Sequence, residues 1–422
     1  MSLEQISNTG LIVAFFIYIV AFFSFVIAIT GKKWSNRNPK DHLTRWSKIA
    51  FSITVIGFAS QILYFITRWI YSGHIPNSNM FEFMTLLSMM IIVGFIVIYL
   101  IYRSAGIGVF ALPVAFIVQA YAMVFPWEAE PLIPALQDNW LKIHVTTAAL
   151  GEAFFAVGFA TGLMYLIRTV NFSGTSKKDR RSVRGVEFTI FVILVVVGFI
   201  SSVFLFNGMD YQAEFTKEVI IPAEDTALEL EQVITEDVEY TLPPIIQPYN
   251  SEITSMDSYF GIQKPLFEAP FWMKGVNAGR KLNTVVWALL LGTLLYYGLR
   301  LILRKPIGAS IQPILSDIDP DDLDEITYRS IALGFPIFTL GALIFAMIWA
   351  HIAWERFWGW DPKEVWALIV WLFYSVYLHL RLSRGWQGEK SSWLSVIGFL
   401  IVMFTLVGVN LVIAGLHSYA GV

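Results

Sequence analysis

Six of the fifteen tryptophans fall within 23 residues, Trp349 to Trp371, in the stretch WAHIAWERFWGWDPKEVWALIVW. Its centre, Trp358-Gly-Trp360-Asp361-Pro-Lys363-Glu, joins flat aromatic surface to a charged turn. Indole faces pack well against a large planar ligand. Two apolar runs flank the turn, which places it at a membrane surface. Tryptophan also collects at such surfaces as a simple belt. Six rings around one Trp-x-Trp-Asp-Pro sequence exceed what a belt requires.

The chain has six histidines: His42, His74, His144, His351, His379 and His417. An ionisable side chain at membrane depth is a functional candidate by default. The competing reading is an imidazole hydrogen-bonded between helices. Neutral imidazole is also a ligand for haem iron, and two can bind on opposite faces of one porphyrin. His144 opens the fifth apolar segment and His417 closes the tenth, so both lie on the side of the tryptophans and could close over one haem. Trp349, Trp354, Trp358, Trp360 and Trp366 are candidates to pack on the macrocycle, with Arg356, Lys363 and Arg280 as cations for its propionates. His74, in SGHIPNSNMFEF, and His351, among the tryptophans, are further candidates; His42 lies in a basic loop. Asp361-Pro362-Lys363-Glu364 reads as an N-cap, a proline at the first helical position and an acid at the third. That structural role is favoured over catalysis for Asp361 and Glu364. A helix starting at Pro362 carries His379 about 26 Å along its axis, to the opposite membrane side.

These residues need spans to position them. Of 422 residues, 56% are hydrophobic and 14% charged, which is a membrane composition. The predicted fold is all-α and polytopic, with ten spans near residues 9–30, 47–70, 82–102, 106–125, 142–168, 186–206, 283–303, 328–350, 362–382 and 392–416. The apolar run from Leu11 to Ile29 is too long for a signal-peptide core and reads as a retained first span. Residues 31–48, 168–184, 300–306 and 381–390, with Arg103 and Arg329, hold 20 of the 29 Lys and Arg residues. The positive-inside rule puts that set in the cytoplasm, with both termini and the tryptophans outside. The expected organisation is therefore membrane helices over 1–206, an extracytoplasmic acidic loop over 207–281, and membrane helices over 282–422 carrying the tryptophan-rich segment 349–371.

Between Asp210 and Asp257 the long loop has twelve acidic residues and a single lysine, Lys217. Its length allows a small folded element, its prolines oppose one long helix, and Lys217 to Ile221 could form a short strand. Its acidity by itself indicates only a solvated surface. The chain has no cysteine, so it forms no disulfide, thiolate metal site or thiol-redox centre. No basic stretch interleaved with aromatics points to nucleic acid. No internal repeat suggests an inverted-repeat transporter.

The sequence closely resembles the CcsA family, also called ResC, of system II cytochrome c biogenesis. That family belongs to the haem-handling superfamily with a tryptophan-rich WWD domain. The resemblance covers most of the chain. It is carried by SGHIPNSNMFEF, LIPALQDNWLKIHV, WERFWGWDPKEVWALIVWLFYSVYLHLR and GVNLVIAGLHSY. The WDPKE core and the terminal LHSY are specific together. The resemblance implies that His144 and His417 are axial ligands flanking the WWD domain. It implies that His379 is an intramembrane ligand paired with a histidine of the partner subunit ResB (CcsB). The implied activity is that of a cytochrome c synthase, a haem lyase working as a complex with ResB. Haem b is the substrate, an apocytochrome c with a Cys-x-x-Cys-His segment the acceptor, and other proteins keep the thiols reduced. The implied location is a cell or thylakoid membrane. One departure is visible: the family usually has glycine where this chain has Glu355. A haem transporter or chaperone without ligase activity, like the shorter CcmC or longer CcmF, is the alternative; a haem-independent solute transporter is a third.

Overall fold

The computed structural model describes residues 1–31, 38–129, 137–221 and 232–409. His417 therefore lies outside the described residues. Ten helices among the described residues are long and apolar enough to cross a membrane. They are α1 (Leu3–Thr30), α2 (Pro39–Ser72), α3 (Met80–Tyr102), α4 (Ala105–Ala122), α5 (Asn139–Thr169), α6 (Lys177–Asn207), α7 (Ala278–Leu303), α8 (Pro320–Trp354), α9 (Pro362–Arg384) and α10 (Glu389–Gly408). The predicted spans and these helices correspond one to one. Several helices outrun their apolar stretches because polar caps lie beyond the membrane-depth residues. Asn38, Asp319 and Asp361 each cap a helix with proline in its first turn. Asn79 and Asp138 cap α3 and α5.

The chain divides into two compact units, Met1–Val186 with the chain from Gly308 onward, and Glu187–Ile307. In the first unit α5 is the most enclosed helix, 89% of its apolar window being buried. Its sequence GEAFFAVGFATG is rich in small residues, which lets helix backbones approach. Phe155 stacks on Tyr374 of α9 at 3.7 Å, and Phe159 on Phe399 of α10 at 4.8 Å. Buried ion pairs tie other helices. Arg68 of α2 donates from Nε to Glu82 of α3 at 2.7 Å, with side chains 1% and 0% exposed. Arg381 of α9 donates from Nη1 to both carboxylate oxygens of Asp324 in α8, at 2.8 and 2.6 Å.

In the second unit, α6 and α7 cross at Gly198 and Gly292, where a Cβ on Gly198 would meet the Gly292 backbone nitrogen at 2.5 Å. The segment between these helices is a small β element. Strands β1 (Ala213–Ile221), β2 (Gln232–Tyr240) and β4 (Ser251–Met256) form an antiparallel sheet in the order β2-β1-β4. Two-residue strands β3 (Ile246–Gln247) and β5 (Phe267–Glu268) pair in parallel. The strand expected near Lys217 is part of β1. Lys217 opposes Glu236 and donates to the Lys274 carbonyl at 2.5 Å. Burial lowers the Lys217 pKa, with the Glu236 carboxylate opposing that shift. The acidic residues alternate outward: Glu218, Asp237, Glu239 and Glu252 are exposed, while Phe215, Val238 and Tyr240 are buried. That alternation follows from the two-residue period of a strand.

Candidate functional site

Asp138 caps α5 by accepting from the Trp140 N–H at 2.6 Å, and His144 follows in the second turn. The imidazole meets α8 at a local distortion. Pro336 interrupts α8, and Thr339–Phe345 form a π-helical stretch immediately after it. Proline removes a helix hydrogen bond, and wide turns of this kind expose backbone acceptors. The Gly341 carbonyl lies 2.9 Å from His144 Nδ1. A carbonyl only accepts, so Nδ1 is the donor, and in the neutral imidazole Nε2 then carries the lone pair. That is the tautomer a metal-ligating histidine takes when its other nitrogen donates to a carbonyl. A Cβ on Gly341 would run into the Ala148 backbone nitrogen, so only glycine allows this approach of α8 to α5.

The His144 ring lies parallel to the Trp349 indole, with centroids 6.0 Å apart and planes 12° apart. Trp349 is 2% exposed and meets Trp354 edge-on at 6.4 Å. The chain then leaves α8 through Glu355, whose φ of 55° is left-handed. Glycine suits such a helix-ending position best, so Glu355 sits on a strained backbone. His351 stacks on Phe357 at 4.3 Å. The Arg356 guanidinium folds against Gly359, where a Cβ would collide with it. Trp358 and Trp360 pack edge-on at 6.0 Å, and Trp360 is left-handed at φ 56° and 69% exposed.

The turn ends in a complete capping box. Asp361 Oδ2 accepts from the Lys363 N–H at 3.1 Å, and Glu364 Oε2 accepts from the N–H groups of Gly359 at 2.7 Å and Asp361 at 3.1 Å. Asp361 and Glu364 thus hold the turn shape. Trp366 packs on Phe404 of α10 at 4.6 Å, and Trp371 donates from Nε1 to Thr339 Oγ1 at the π-helical stretch. The indole N–H groups of Trp354 and Trp358 are buried and have no acceptor among the described residues.

The other histidines stand apart. His379 is exposed on α9, on the same helix face as exposed Leu372 and Val376, and makes no side-chain hydrogen bond among the described residues. It lies seventeen residues beyond Pro362, about 26 Å along the helix. His74 approaches the Ile75 carbonyl through Nδ1 at 2.9 Å, in the loop whose Ser78 donates to Glu82. His42 is buried against the Ile27 carbonyl at 3.1 Å. Lys363 starts α9 beside Asp361. The structure thus joins His144, Trp349 and Trp354 by direct contact and keeps His379 remote. Two participants were invisible to sequence reasoning, Gly341 and the wide turn that presents its carbonyl. Their only signal is the proline-then-glycine spacing of Phe-Pro336-Ile-Phe-Thr-Leu-Gly341.

Ten candidate membrane spans and a tryptophan-rich segment whose Trp349 lies parallel to His144 define a polytopic helical membrane protein with an aromatic–imidazole site. The family described as cytochrome C assembly protein matches residues 60–209 and 287–417. The chain belongs to that family, and within it to the CcsA/ResC group of system II cytochrome c biogenesis. It is 31% identical over 358 residues to the cytochrome c biogenesis protein CcsA of Nostoc punctiforme, covering 83% of this chain and 82% of the relative. It is 30% identical over 364 residues to CcsA of Trichodesmium erythraeum, again over 83% and 82%. The two matched stretches bracket the β element without including it.

Proposed function

We propose that this chain is the haem-handling subunit of a system II cytochrome c synthase, presenting haem b at the extracytoplasmic membrane face for attachment to an apocytochrome c. The observation that carries this reading is the Nδ1 contact of His144 with the Gly341 carbonyl, made while the ring lies flat beside Trp349. The contact orients the imidazole through Nδ1, so that Nε2 is the nitrogen proposed to ligate iron, in an aromatic setting suited to a porphyrin. The indole N–H groups of Trp354 and Trp358, without an acceptor among the described residues, are donors suited to a ligand bearing acceptor oxygens. Arg356 is an exposed cation on the same turn, suited to a propionate. His417 is the proposed second axial ligand. The distribution of basic connections supports an extracytoplasmic position for the tryptophan turn.

In the proposed reaction each thiol S–H of a Cys-x-x-Cys-His segment adds across a haem vinyl C=C. Sulfur bonds to one vinyl carbon, hydrogen goes to the other, and nothing leaves. This chemistry requires orientation and a defined iron ligation more than a protein nucleophile. The chain's residues supply the ligand, the flat surface and the rigid turn. ResB is the proposed partner subunit, with His379 facing it, and separate thiol-reducing proteins keep the acceptor reduced.

The test is an absorption spectrum of the purified protein, alone and with ResB, together with an assay for covalent haem–peptide product. Wild type is expected to show a bis-imidazole Soret band, and His144→Ala and His417→Ala to lose or shift it, with partial rescue by added imidazole. Unchanged spectra and product in both variants would overturn the reading. Bound haem without covalent product would instead identify a transporter or chaperone.

A further inference from the structure

The two-residue turn Tyr259-Phe260-Gly261-Ile262 in the second unit is built against its own turn chemistry. The N–H of Tyr259 donates to the Ile262 carbonyl at 3.1 Å, and the reverse bond is 2.8 Å. Phe260 and Gly261 both have positive φ, 46° and 79°. A hairpin turn of this form favours Asn-Gly or Asp-Gly, and a left-handed non-glycine residue costs about 1–2 kcal/mol. Phe260 occupies the strained position, and its ring is 84% exposed. A strained turn tip in water gains nothing from a phenylalanine. The same ring gains where apolar surface covers it.

The depth of the turn shows what is available to cover it. Tyr259 packs edge-on against Trp287 of α7 at 6.4 Å and against Tyr211 at 6.1 Å. Trp287 in turn meets Phe206, near the end of α6, at 4.9 Å. On α7 the last charged residue before the apolar run is Lys281, and Val285, two residues before Trp287, is already apolar and 51% exposed. Near the end of α6 the exposed side chains include Phe204, at 46%, and Leu205, at 50%, and Met209, at 66%, follows. The Phe260 turn thus sits level with side chains that face lipid on both helices. Leu266 and Phe267 are anchored near the same level. Their N–H groups donate to the Ile245 carbonyl, and Ile245 N–H donates to Asn283 of α7 at 2.9 Å. They are 56% and 66% exposed.

We propose that Phe260, Leu266 and Phe267 insert into the interfacial layer of the lipid bilayer, so that the β element rests on the membrane as a fixed aromatic foot. Exposed phenylalanine and leucine side chains bury at the headgroup–acyl boundary, and continuity with the lipid-facing surface of α6 and α7 selects a lipid surface as the occupant. The absence of cysteine from the chain permits a direct test. Single nitroxide labels at Phe260→Cys and, separately, Phe267→Cys are placed in the full chain in phosphatidylcholine–phosphatidylglycerol vesicles. A Thr235→Cys label on the exposed face of β2 is the aqueous control. Collision with oxygen relative to a water-soluble nickel chelate is expected to be several-fold higher at 260 and 267 than at 235. A ratio equal to the control at both positions would place the foot in water and overturn the proposal. Shielding from both reagents would overturn it too, because protein would then be the cover. Using two positions separates a local folding failure at the turn from a wrong assignment.

Discussion

His144 and His379 are both imidazoles at the edges of the same helical unit, yet their surroundings are opposite. His144 is half-buried, directed by the Gly341 carbonyl and flanked by Trp349. His379 is exposed, without a side-chain hydrogen bond among the described residues, on a face of α9 that also presents Leu372 and Val376. A ligand needs its tautomer and ring orientation fixed before it binds metal well. The chain itself supplies that fixing for His144. For His379 the described residues supply only the imidazole. On the proposed reading, the first site is built within this chain and the second is shared with the partner subunit ResB.

The largest expected effect breaks the comparison at its stronger side. His144→Ala removes the proposed ligand itself, and its loss in haem affinity is expected to exceed the roughly 10–100-fold cost of altering a mere second-shell group. Haem titration of the chain without its partner reads this directly. Affinity within a factor of two of wild type would move the ligand elsewhere. The next effect sharpens the other side: His379→Ala should leave haem binding by the isolated chain unchanged and lower haem content only in the complex with ResB. Equal loss in both preparations would mean that His379 belongs to a site internal to the chain.

Gly341→Ala tests the physical link between α5 and α8. The added Cβ meets the Ala148 backbone, and overpacking of this kind costs about 1–3 kcal/mol. A lowered unfolding midpoint is expected together with a shifted Soret position, because the carbonyl that directs His144 moves. Lost stability with an unchanged spectrum would separate packing from ligand orientation. The smallest effects lie in the turn. Asp361→Ala should destabilise by about 1 kcal/mol through loss of the N-cap, with Asp361→Asn milder. Glu355→Gly should stabilise by up to about 1 kcal/mol by relieving the left-handed backbone. Thermal unfolding of the variants in detergent measures both, and a destabilised Glu355→Gly would show that the glutamate has a contact of its own.

The ten spans and the turn cap were legible in the linear chain because the signals are local. A span is a run of apolar residues long enough for the bilayer, and a cap is an Asp-Pro-x-Glu within four positions. The second half of β1 was legible for the same reason, as the run Lys217 to Ile221. His144, His379 and the tryptophans were found as residue types at particular depths. Three things were not readable: which histidine is oriented, which tryptophans touch it, and which rings pack against another helix. The acceptor for His144 is 197 positions away, and it exists only because Pro336 and Gly341 shape one wide turn of α8 against α5. Trp366 and Trp349 read alike in sequence, yet one packs on Phe404 and the other lies beside His144. The buried pairs Arg68–Glu82 and Arg381–Asp324 likewise join residues on different helices. Local chemistry determined the number, extent and ends of the helices. Tertiary packing alone decided which side chains face one another, because that depends on rotation and approach between helices, which the sequence of either helix does not contain.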